Sequence, residues 1–302
     1  MAWTAAALAG FLAVGLVGLR GYVNNFLRYR GFDPPREPAF VTRPGVTLRV
    51  TVPSAALGGQ SQETYVYLPS GYAQHPHRRY AVLYLLHGFP GRPLAFIETV
   101  QMGVVDDTFT VTRRAQPLIL VMPFGSTSTF TDKEWVNGVA RGNGWSTFVS
   151  RDLVKYVDAH YRTIASASGR AIGGLSEGGF GAFDIALHHP REFSVVESWS
   201  GYQKPDQLRS IFGSNLQLLS ANDPRLLVRS DARQLRTVGT YFWFYSGSTD
   251  RLRKQNEAFA HELQSLRLQH RYLLAYGGHN WALWRDNARA AYRAAASRLA
   301  HD

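Results

Sequence analysis

Apolar and polar residues follow two different periods along the chain from about residue 46 onward. Residues 46–52 and 63–68 alternate, which predicts two half-buried strands of a hairpin around Gly58-Gly59. Six later runs are continuously apolar, as expected of strands buried on both faces of a parallel sheet. These runs are 80–86, 117–122, 170–175, 193–198, 240–245 and 272–275.

Amphipathic stretches separate the apolar runs and predict helices over 146–161, 177–188, 255–266 and 281–300. Strands that alternate with helices indicate an α/β fold, with a mostly parallel sheet, antiparallel N-terminal strands and helices on both faces. A chain of 302 residues that is 45% hydrophobic suffices for one large core. Residues 202–238 show the least regular pattern, and we expect them to form a small cap over any functional site.

The first 30 residues differ from the rest in composition. Residues 3–19 carry no charged side chain, and the apolar stretch reaches Val23 if Arg20 extends its guanidinium to the interface. We interpret this stretch, residues 3–23, as a membrane anchor, with a cleaved signal segment and a buried helix as alternatives. The predicted organisation is anchor, proline-rich linker and globular domain over residues 1–30, 31–45 and 46–302.

Charge and composition limit the choice of partners and cofactors. The net charge is +11, but the basic residues are scattered, so we predict no nucleic-acid partner and regard an anionic lipid surface as the better match. The chain has no cysteine, which excludes disulfides, thiolate zinc sites and a cysteine nucleophile. No HExxH, P-loop or dinucleotide motif occurs, so we expect neither a metal nor a cofactor.

A glycine-rich turn, GLSEG (174–178), follows the apolar run 170–175. In this G-x-S-x-G pattern the serine sits on a sharp strand-to-helix turn, and the glycines let strand and helix approach closely. The hydroxyl of Ser176 then stands near a helix N-terminus, where developing negative charge is stabilised. A serine that only caps a glycine-rich helix is the alternative, but the context favours Ser176 as a nucleophile.

A serine hydroxyl needs a base within hydrogen-bonding reach. In folds with this turn the partners follow late strands, in the order Ser, Asp or Glu, His. Asp250 follows the run 240–245, and His279 follows the run 272–275 behind two glycines. We therefore predict a triad of Ser176, Asp250 and His279, in which the aspartate orients the imidazole and the histidine transfers the proton. The competing acids are Asp223, Asp231 and Glu257.

An oxyanion that forms at a substrate carbonyl needs two backbone donors. The amide of Glu177, directly after the serine, is one candidate. The loop HGFPG (87–91) offers the other, and Phe89 is our candidate because Pro90 has no N–H and Gly88 permits a tight turn. An ordinary glycine–proline turn is the alternative interpretation of this loop.

Taken together, these segments resemble the esterase D superfamily of α/β-hydrolases, which includes feruloyl and acetylxylan esterases, S-formylglutathione hydrolase and the mycolyltransferases. The matching segments are VYLPSGY (66–72), YAVLYLLHGFPG (80–91), ILVMP (119–123), YVDAHYRT (156–163), GGLSEGGFGA (173–182), SGSTD (246–250) and GGHNW (277–281). The resemblance implies the α/β-hydrolase fold, ester hydrolysis or acyl transfer, and no metal or cofactor. By position it implies the same triad, with Phe89 and Glu177 as oxyanion donors.

We therefore expect a membrane-anchored serine ester hydrolase that forms an acyl-enzyme on a small-molecule or lipid-linked ester of the cell envelope, including aminoacyl esters of membrane lipids. An acyltransferase of the mycolyltransferase type is the first alternative, and a non-catalytic binding module on the same fold is the second. The arginines that follow the apolar stretch favour a cytoplasmic globular domain. The resemblance implies the extracytoplasmic side, which we adopt as the prediction.

Overall fold

Eight strands form one mixed sheet in the computed structural model, which describes residues 15–21, 23, 25–128, 130–206 and 208–302. The strands are β1 (Val46–Pro53), β2 (Ser61–Leu68), β3 (Ala81–Leu86), β4 (Leu118–Pro123), β5 (Arg170–Leu175), β6 (Val195–Trp199), β7 (Tyr241–Gly247) and β8 (His270–Ala275). Their order across the sheet is β1-β2-β4-β3-β5-β6-β7-β8. The first two strands are antiparallel to their neighbours and the others run parallel, which confirms the predicted fold class.

The pattern of burial explains the two periods seen in the sequence. Every residue of β3, β4, β5 and β6 is buried, because helices cover both faces of the central sheet. Alternate side chains of β3 enter different cores: Val82 and Tyr84 belong to one cluster, and Leu83 and Leu85 to the other. The edge strand β1 stays largely exposed, and its residues therefore alternate in polarity.

Helices pack on the two faces and connect the strands. They are α1 (Ala95–Glu98), α2 (Met102–Val111), α3 (Trp145–Thr147), α4 (Val154–His160), α5 (Glu177–His188), α6 (Arg209–Phe212), α7 (Leu216–Ala221), α8 (Pro224–Ser230), α9 (Ala232–Val238), α10 (Arg253–Ser265) and α11 (Trp281–Ala296). A π-helical turn, Phe148–Leu153, joins α3 to α4. Side chains of α5 and α10 enter one core, and side chains of α2 and α11 enter the other.

The region over 202–238 is more regular than its hydrophobic pattern indicated, because it contains the four short helices α6 to α9. Local capping defines two of them. The side chain of Asn215 accepts a hydrogen bond from the Leu218 amide at the start of α7. Asp223 accepts one from the Arg225 amide at the start of α8, and Pro224 occupies the first helical position. These N-caps fix where α7 and α8 begin, and both helices are too short to show a 3.6-residue period in the sequence.

The N-terminal helix, residues 15–29 as far as they are described, ends against the globular domain. Arg28 donates to Glu98 over 2.7 Å, and Thr99 donates to the Arg28 carbonyl oxygen over 3.1 Å. The guanidinium of Arg285 lies 4.4 Å from the centre of the Phe32 ring. We name residues 25–32 the docked segment, because these contacts hold it on the domain.

Most of the predicted membrane anchor, residues 3–23, lies outside the described residues. In the part of the chain that is described, no helix combines the length and the apolar character that a membrane crossing requires. Residues 31–45, the predicted linker, contain neither helix nor strand.

Candidate active site

Ser176 stands on the turn between β5 and α5, at the carboxyl edge of the parallel strands. Its backbone has φ 55° and ψ −119°, a conformation that is strained for any residue other than glycine. Gly178 is required beside it, since a Cβ there would clash with the Leu86 carbonyl oxygen. The Ser176 amide donates to the Trp199 carbonyl over 3.1 Å, which fixes the turn on the neighbouring strand.

The structure brings the three predicted triad residues together. The Nε2 atom of His279 lies 2.8 Å from the Ser176 Oγ, and its Nδ1 atom lies 3.0 Å from Asp250 Oδ2. The Asp250 side chain is fully buried, whereas the imidazole is 20% exposed. Because an ionised carboxylate only accepts hydrogen bonds, the ring proton belongs on Nδ1. Nε2 is then free to accept the serine proton.

Asp250 is held by more than the imidazole. The Ser200 hydroxyl donates to its Oδ2 atom, and the Leu252 amide donates to Oδ1 over 2.8 Å. Burial opposes ionisation, but these hydrogen bonds and the one from His279 outweigh it, so the pKa of Asp250 is lowered. The carboxylate therefore stays charged at neutral pH, as a group that orients an imidazole must.

Ser200 was not among the site residues predicted from the sequence. It follows β6, with φ 57°, and its amide donates to the Tyr245 carbonyl over 2.8 Å. The sequence offers one indication of its role. Ser200 follows the predicted strand 193–198, which is the neighbour of the strand that precedes Asp250. That position makes a residue a candidate neighbour of the site but does not show which atom it contacts.

Replacing Ser200 by alanine should lower kcat/KM for ester hydrolysis about tenfold, because a hydrogen bond to a charged group contributes roughly 1.5–3 kcal/mol. With one donor lost, the pKa of Asp250 should rise, and the acid limb of the pH–rate profile should move to higher pH. Ser198→Ala is the matched control, since Ser198 is equally buried and its hydroxyl has no hydrogen-bond partner in the described chain. A profile identical in the two variants would contradict this positioning role.

The three other acids considered as partners of His279 have different positions or partners in the structure. Asp223 caps α8 and pairs with Arg225. Glu257 pairs with Arg253 over 2.7 Å on the surface of α10. Asp231 lies between α8 and α9, ahead of β7. Among the described hydrogen bonds and ion pairs of His279, Asp250 is the acidic partner.

An aromatic pair fixes the imidazole from its other side. The edge of the Trp284 indole packs against the His279 ring, with centroids 5.2 Å apart. The Trp284 Nε1–H donates to the Trp199 carbonyl over 3.1 Å, which holds the indole in place. Trp281 packs edge-on against Trp284 at 5.0 Å. Both tryptophans lie in the first turn of α11, directly after His279, so this loop and helix position the ring together.

The two predicted oxyanion donors belong to the nucleophile turn and to the loop that packs against it. No protein acceptor is hydrogen-bonded to the amides of Phe89 or Glu177 within the described ranges. The loop 87–91 packs against the turn, since a Cβ on Gly88 would come within 3.0 Å of the Ser176 Cβ. Two unengaged N–H groups in these segments are available to stabilise a carbonyl oxygen that becomes negative, and their role as oxyanion donors stays a prediction.

His87 holds this loop from beneath, a role that the sequence analysis did not assign. The Gly125 amide donates to His87 Nε2 over 3.1 Å, so Nδ1 carries the proton and donates to the Gly88 carbonyl over 2.9 Å. Trp135 Nε1 donates to the His87 carbonyl over 3.1 Å. Burial lowers the pKa of His87 to about 4, although its bond to Gly88 opposes the shift. A neutral imidazole therefore supports the loop at physiological pH.

The side chain of Glu177 belongs to a buried acidic group with Asp132 and Glu134. Burial, with the nearby charges of these two residues, raises the pKa of Glu177 well above its ordinary value. Burial also raises the pKa of Glu134 to about 8, although it accepts hydrogen bonds from the Asp206 amide and the Tyr202 hydroxyl. This shift favours the protonated form of the Glu177 carboxyl and so reduces the negative charge beside the predicted oxyanion donors.

This buried acid should make folding stability depend on pH. Above pH 4.5 Glu134 is ionised in the unfolded chain but protonated in the folded one up to about pH 8. The folded state binds more protons in this window, so stability falls as the pH rises. Glu134→Gln removes this dependence. As the pH rises from 5 to 8, the free energy of unfolding of the variant should increase relative to that of the parent by up to about 1 kcal/mol per pH unit.

Urea denaturation of both proteins at pH 5, 6.5 and 8 measures this difference. Glu262→Gln is the control with a nearly constant difference, because the hydrogen bond from Arg229 lowers the pKa of Glu262, which is then ionised in both the folded and the unfolded chain over this range. A constant stability difference between Glu134→Gln and the parent across this range would show that Glu134 folds in its ionised form.

Comparison with known proteins identifies the family. A model of the putative esterase family matches residues 54–293. An esterase of Mycobacterium tuberculosis is 35% identical over 148 residues, which is 49% of this chain and 30% of that protein. A diacylglycerol acyltransferase/mycolyltransferase (Ag85B) of Mycolicibacterium smegmatis is 35% identical over 95 residues, 30% of this chain and 28% of that one. The chain thus spans less than a third of each relative.

The fold is shared with solved structures. A ferulic acid esterase superposes with a TM-score of 0.75 at 21% identity, covering 85% of this chain and all of that one. At this identity the likeness concerns the fold, which agrees with the sheet order and the nucleophile turn described above. The family model, which covers most of the chain, carries the assignment. The chain therefore belongs to the putative esterase family, within the esterase D superfamily of α/β-hydrolases.

Proposed function

We propose that this protein is a serine carboxylic-ester hydrolase, with Ser176 as nucleophile, His279 as general base and acid, and Asp250 as the group that orients the imidazole. The observation that carries the proposal is the continuous hydrogen-bonded arrangement from the Ser176 hydroxyl through both nitrogens of His279 to Asp250. The strained backbone of Ser176 and the two unengaged amides beside it support the same assignment.

The reaction follows from the positions of these atoms. The Ser176 Oγ attacks the ester carbonyl carbon while its proton passes to His279 Nε2, and the carbonyl oxygen becomes an oxyanion. The amides of Phe89 and Glu177 donate to this oxyanion. The intermediate collapses as the C–O bond to the alcohol breaks and Nε2 gives its proton to the leaving oxygen, which leaves an acyl-enzyme on Ser176.

Water completes the cycle by the same route. His279 Nε2 takes a proton from a water molecule, whose oxygen attacks the acyl carbonyl carbon. The second tetrahedral intermediate collapses, the bond between the acyl carbon and Ser176 Oγ breaks, and the proton on Nε2 returns to Oγ. Asp250 stays ionised throughout, because the donors around it lower its pKa. It stabilises the imidazolium that exists transiently in both halves of the cycle.

A fluorophosphonate probe tests the nucleophile directly. Incubation of the folded protein should give one adduct, which peptide mass spectrometry places on the peptide that contains Ser176. A folded protein that remains unlabelled would favour the alternative of a non-catalytic binding module.

The substrate that we propose is a lipid-linked or other ester of the cell envelope, including aminoacyl esters of membrane lipids, reached from the extracytoplasmic side. The net charge of +11 favours an anionic surface. Several apolar side chains of the N-terminal helix are exposed, among them Leu16, Val17, Leu19 and Leu27. Such a helix face is suited to a lipid interface, which supports a membrane-associated enzyme.

Acyl transfer is a second candidate function, and the similarity to the mycolyltransferase supports it. Both functions share the acyl-enzyme and differ only in the hydroxyl that attacks it. Incubation of the protein with an acyl donor, with and without glycerol or a sugar, separates them. Product that carries the acyl group on the added alcohol indicates transfer, and free acid alone indicates hydrolysis.

A further inference from the structure

A cavity of about 510 Å³ lies between the docked segment and the loop that follows the proposed oxyanion donor Phe89. Its apolar wall includes Leu27, Leu94 and Phe130, and the Phe130 side chain is 79% exposed. Its polar wall carries three guanidinium groups and one carboxylate, from Arg28, Arg30, Arg92 and Glu98. The cavity therefore combines a hydrocarbon surface with an excess of positive charge.

Two of the three guanidinium groups are free to bind an anion. Arg28 is paired with Glu98 over 2.7 Å. In the described part of the chain, by contrast, neither Arg30 nor Arg92 forms an ion pair with a carboxylate. Burial and the nearby positive charge of Arg92 lower the pKa of Arg30, so the two like charges repel each other. An anion placed between them would relieve this repulsion.

Two sets of contacts connect the cavity with loops of the proposed catalytic centre. Pro90, in its wall, directly follows Phe89. The Arg30 guanidinium lies 5.2 Å from the centre of the Trp281 ring, which packs against Trp284, the residue that contacts the His279 imidazole. A molecule in this cavity would therefore lie next to the oxyanion loop and contact Arg30, whose guanidinium packs on the helix that follows His279.

We propose that Arg30 and Arg92 form a binding site for a phosphate group carried by the ester substrate, with its hydrocarbon part against Leu27, Leu94 and Phe130. Two guanidinium charges match the charge of about −1.5 to −2 on a phosphate monoester, and planar guanidinium groups bind phosphate oxygens in pairs. This inference rests on the proposed function, because it names the substrate class of the same site.

A matched pair of substrates tests it. One is a glycerol with a single butyryl ester, and the other is the same butyryl glycerol with a phosphate on its free primary hydroxyl. The full chain should hydrolyse the phosphorylated ester with the higher kcat/KM. The double variant Arg30→Gln/Arg92→Gln should lose about tenfold in kcat/KM on the phosphorylated ester, mainly through KM, and stay within twofold on the neutral one.

Arg191→Gln is the control. Arg191 is exposed, has no ion-pair partner among the described residues, and precedes β6 at the sheet edge opposite to Ser176. It should leave the preference for the phosphorylated ester unchanged. If Arg191→Gln and the double variant lose kcat/KM on the phosphorylated ester equally, the effect comes from the net charge of the protein and the proposal is wrong.

Inorganic phosphate distinguishes a separate subsite from binding at the reacting groups. It should raise the KM of the phosphorylated ester in the parent, raise it less in the double variant, and leave the KM of the neutral ester unchanged. If it raises both KM values equally, the anion binds at the catalytic centre and the proposed subsite is wrong.

The two proposals fail in different ways. Hydrolysis of both esters without preference, abolished by Ser176→Ala, would sustain the proposed function and overturn the phosphate site. Hydrolysis that persists in Ser176→Ala would overturn the proposed function, whatever the preference between the esters.

Discussion

The Ser176→Ala variant should hydrolyse p-nitrophenyl butyrate about 10⁵-fold more slowly than the parent protein at saturating substrate. The methyl group cannot attack the carbonyl, so no acyl-enzyme forms, and only the oxyanion donors and substrate binding remain to accelerate attack by water. The KM of an acyl-enzyme mechanism also depends on the rate of deacylation, so the comparison is made on kcat measured at saturating substrate.

Folding controls accompany this measurement. Alanine must adopt the same strained backbone with φ 55° as the serine, so near-ultraviolet circular dichroism and thermal unfolding should match those of the parent. Ser198→Ala, which removes the hydroxyl of the buried serine paired with Gly174 in the β5–β6 register, should retain activity. A Ser176→Ala protein that keeps more than a few per cent of the parental rate would show that another group is the nucleophile.

The second large effect is expected from Asp250→Asn, which should lower kcat about 10³–10⁴-fold while the protein stays folded. The carboxylate selects the ring tautomer with the proton on His279 Nδ1. An asparagine can turn its NH₂ group toward Nδ1, which places the ring proton on Nε2, where it blocks transfer from Ser176. The loss should therefore appear in kcat at neutral pH rather than in substrate binding.

Asp231→Asn is the matched control, because Asp231 is a competing acid from the sequence that lies between α8 and α9. We expect its kcat to stay within twofold of the parent. Steady-state kinetics on one ester at pH 7.5 measures both variants. Similar kcat values for Asp250→Asn and Asp231→Asn would remove Asp250 from the proposed mechanism.

The sequence was sufficient to predict the sheet and the loops that bear chemistry. Buried strands such as 170–175 appear as continuous apolar runs, and the turn at Ser176 has its own glycine pattern. The residues after β7 and β8 lie at the same edge of the sheet as Ser176 because the strands are parallel. In a parallel sheet, the loops that follow neighbouring strands lie close together. For this reason Asp250 and His279 could be predicted as partners of Ser176 from their positions after strands.

Contacts between distant loops could not be predicted in this way. Ser200 reaches Asp250 across 50 positions, and the Gly125 amide reaches His87 across 38. The burial of Glu177 beside Asp132 and Glu134 depends on how the irregular loop after β4 folds over the nucleophile turn. No hydrophobic period describes that loop, so its acidic residues look like ordinary surface charges in the sequence.

The docked segment is held in a fixed position on the globular domain. Arg28 and Phe32 fasten it to the domain beside the cavity that adjoins the proposed catalytic centre. A partner that held the described end of the N-terminal helix, residues 25–29, would therefore also set the direction in which the cavity opens.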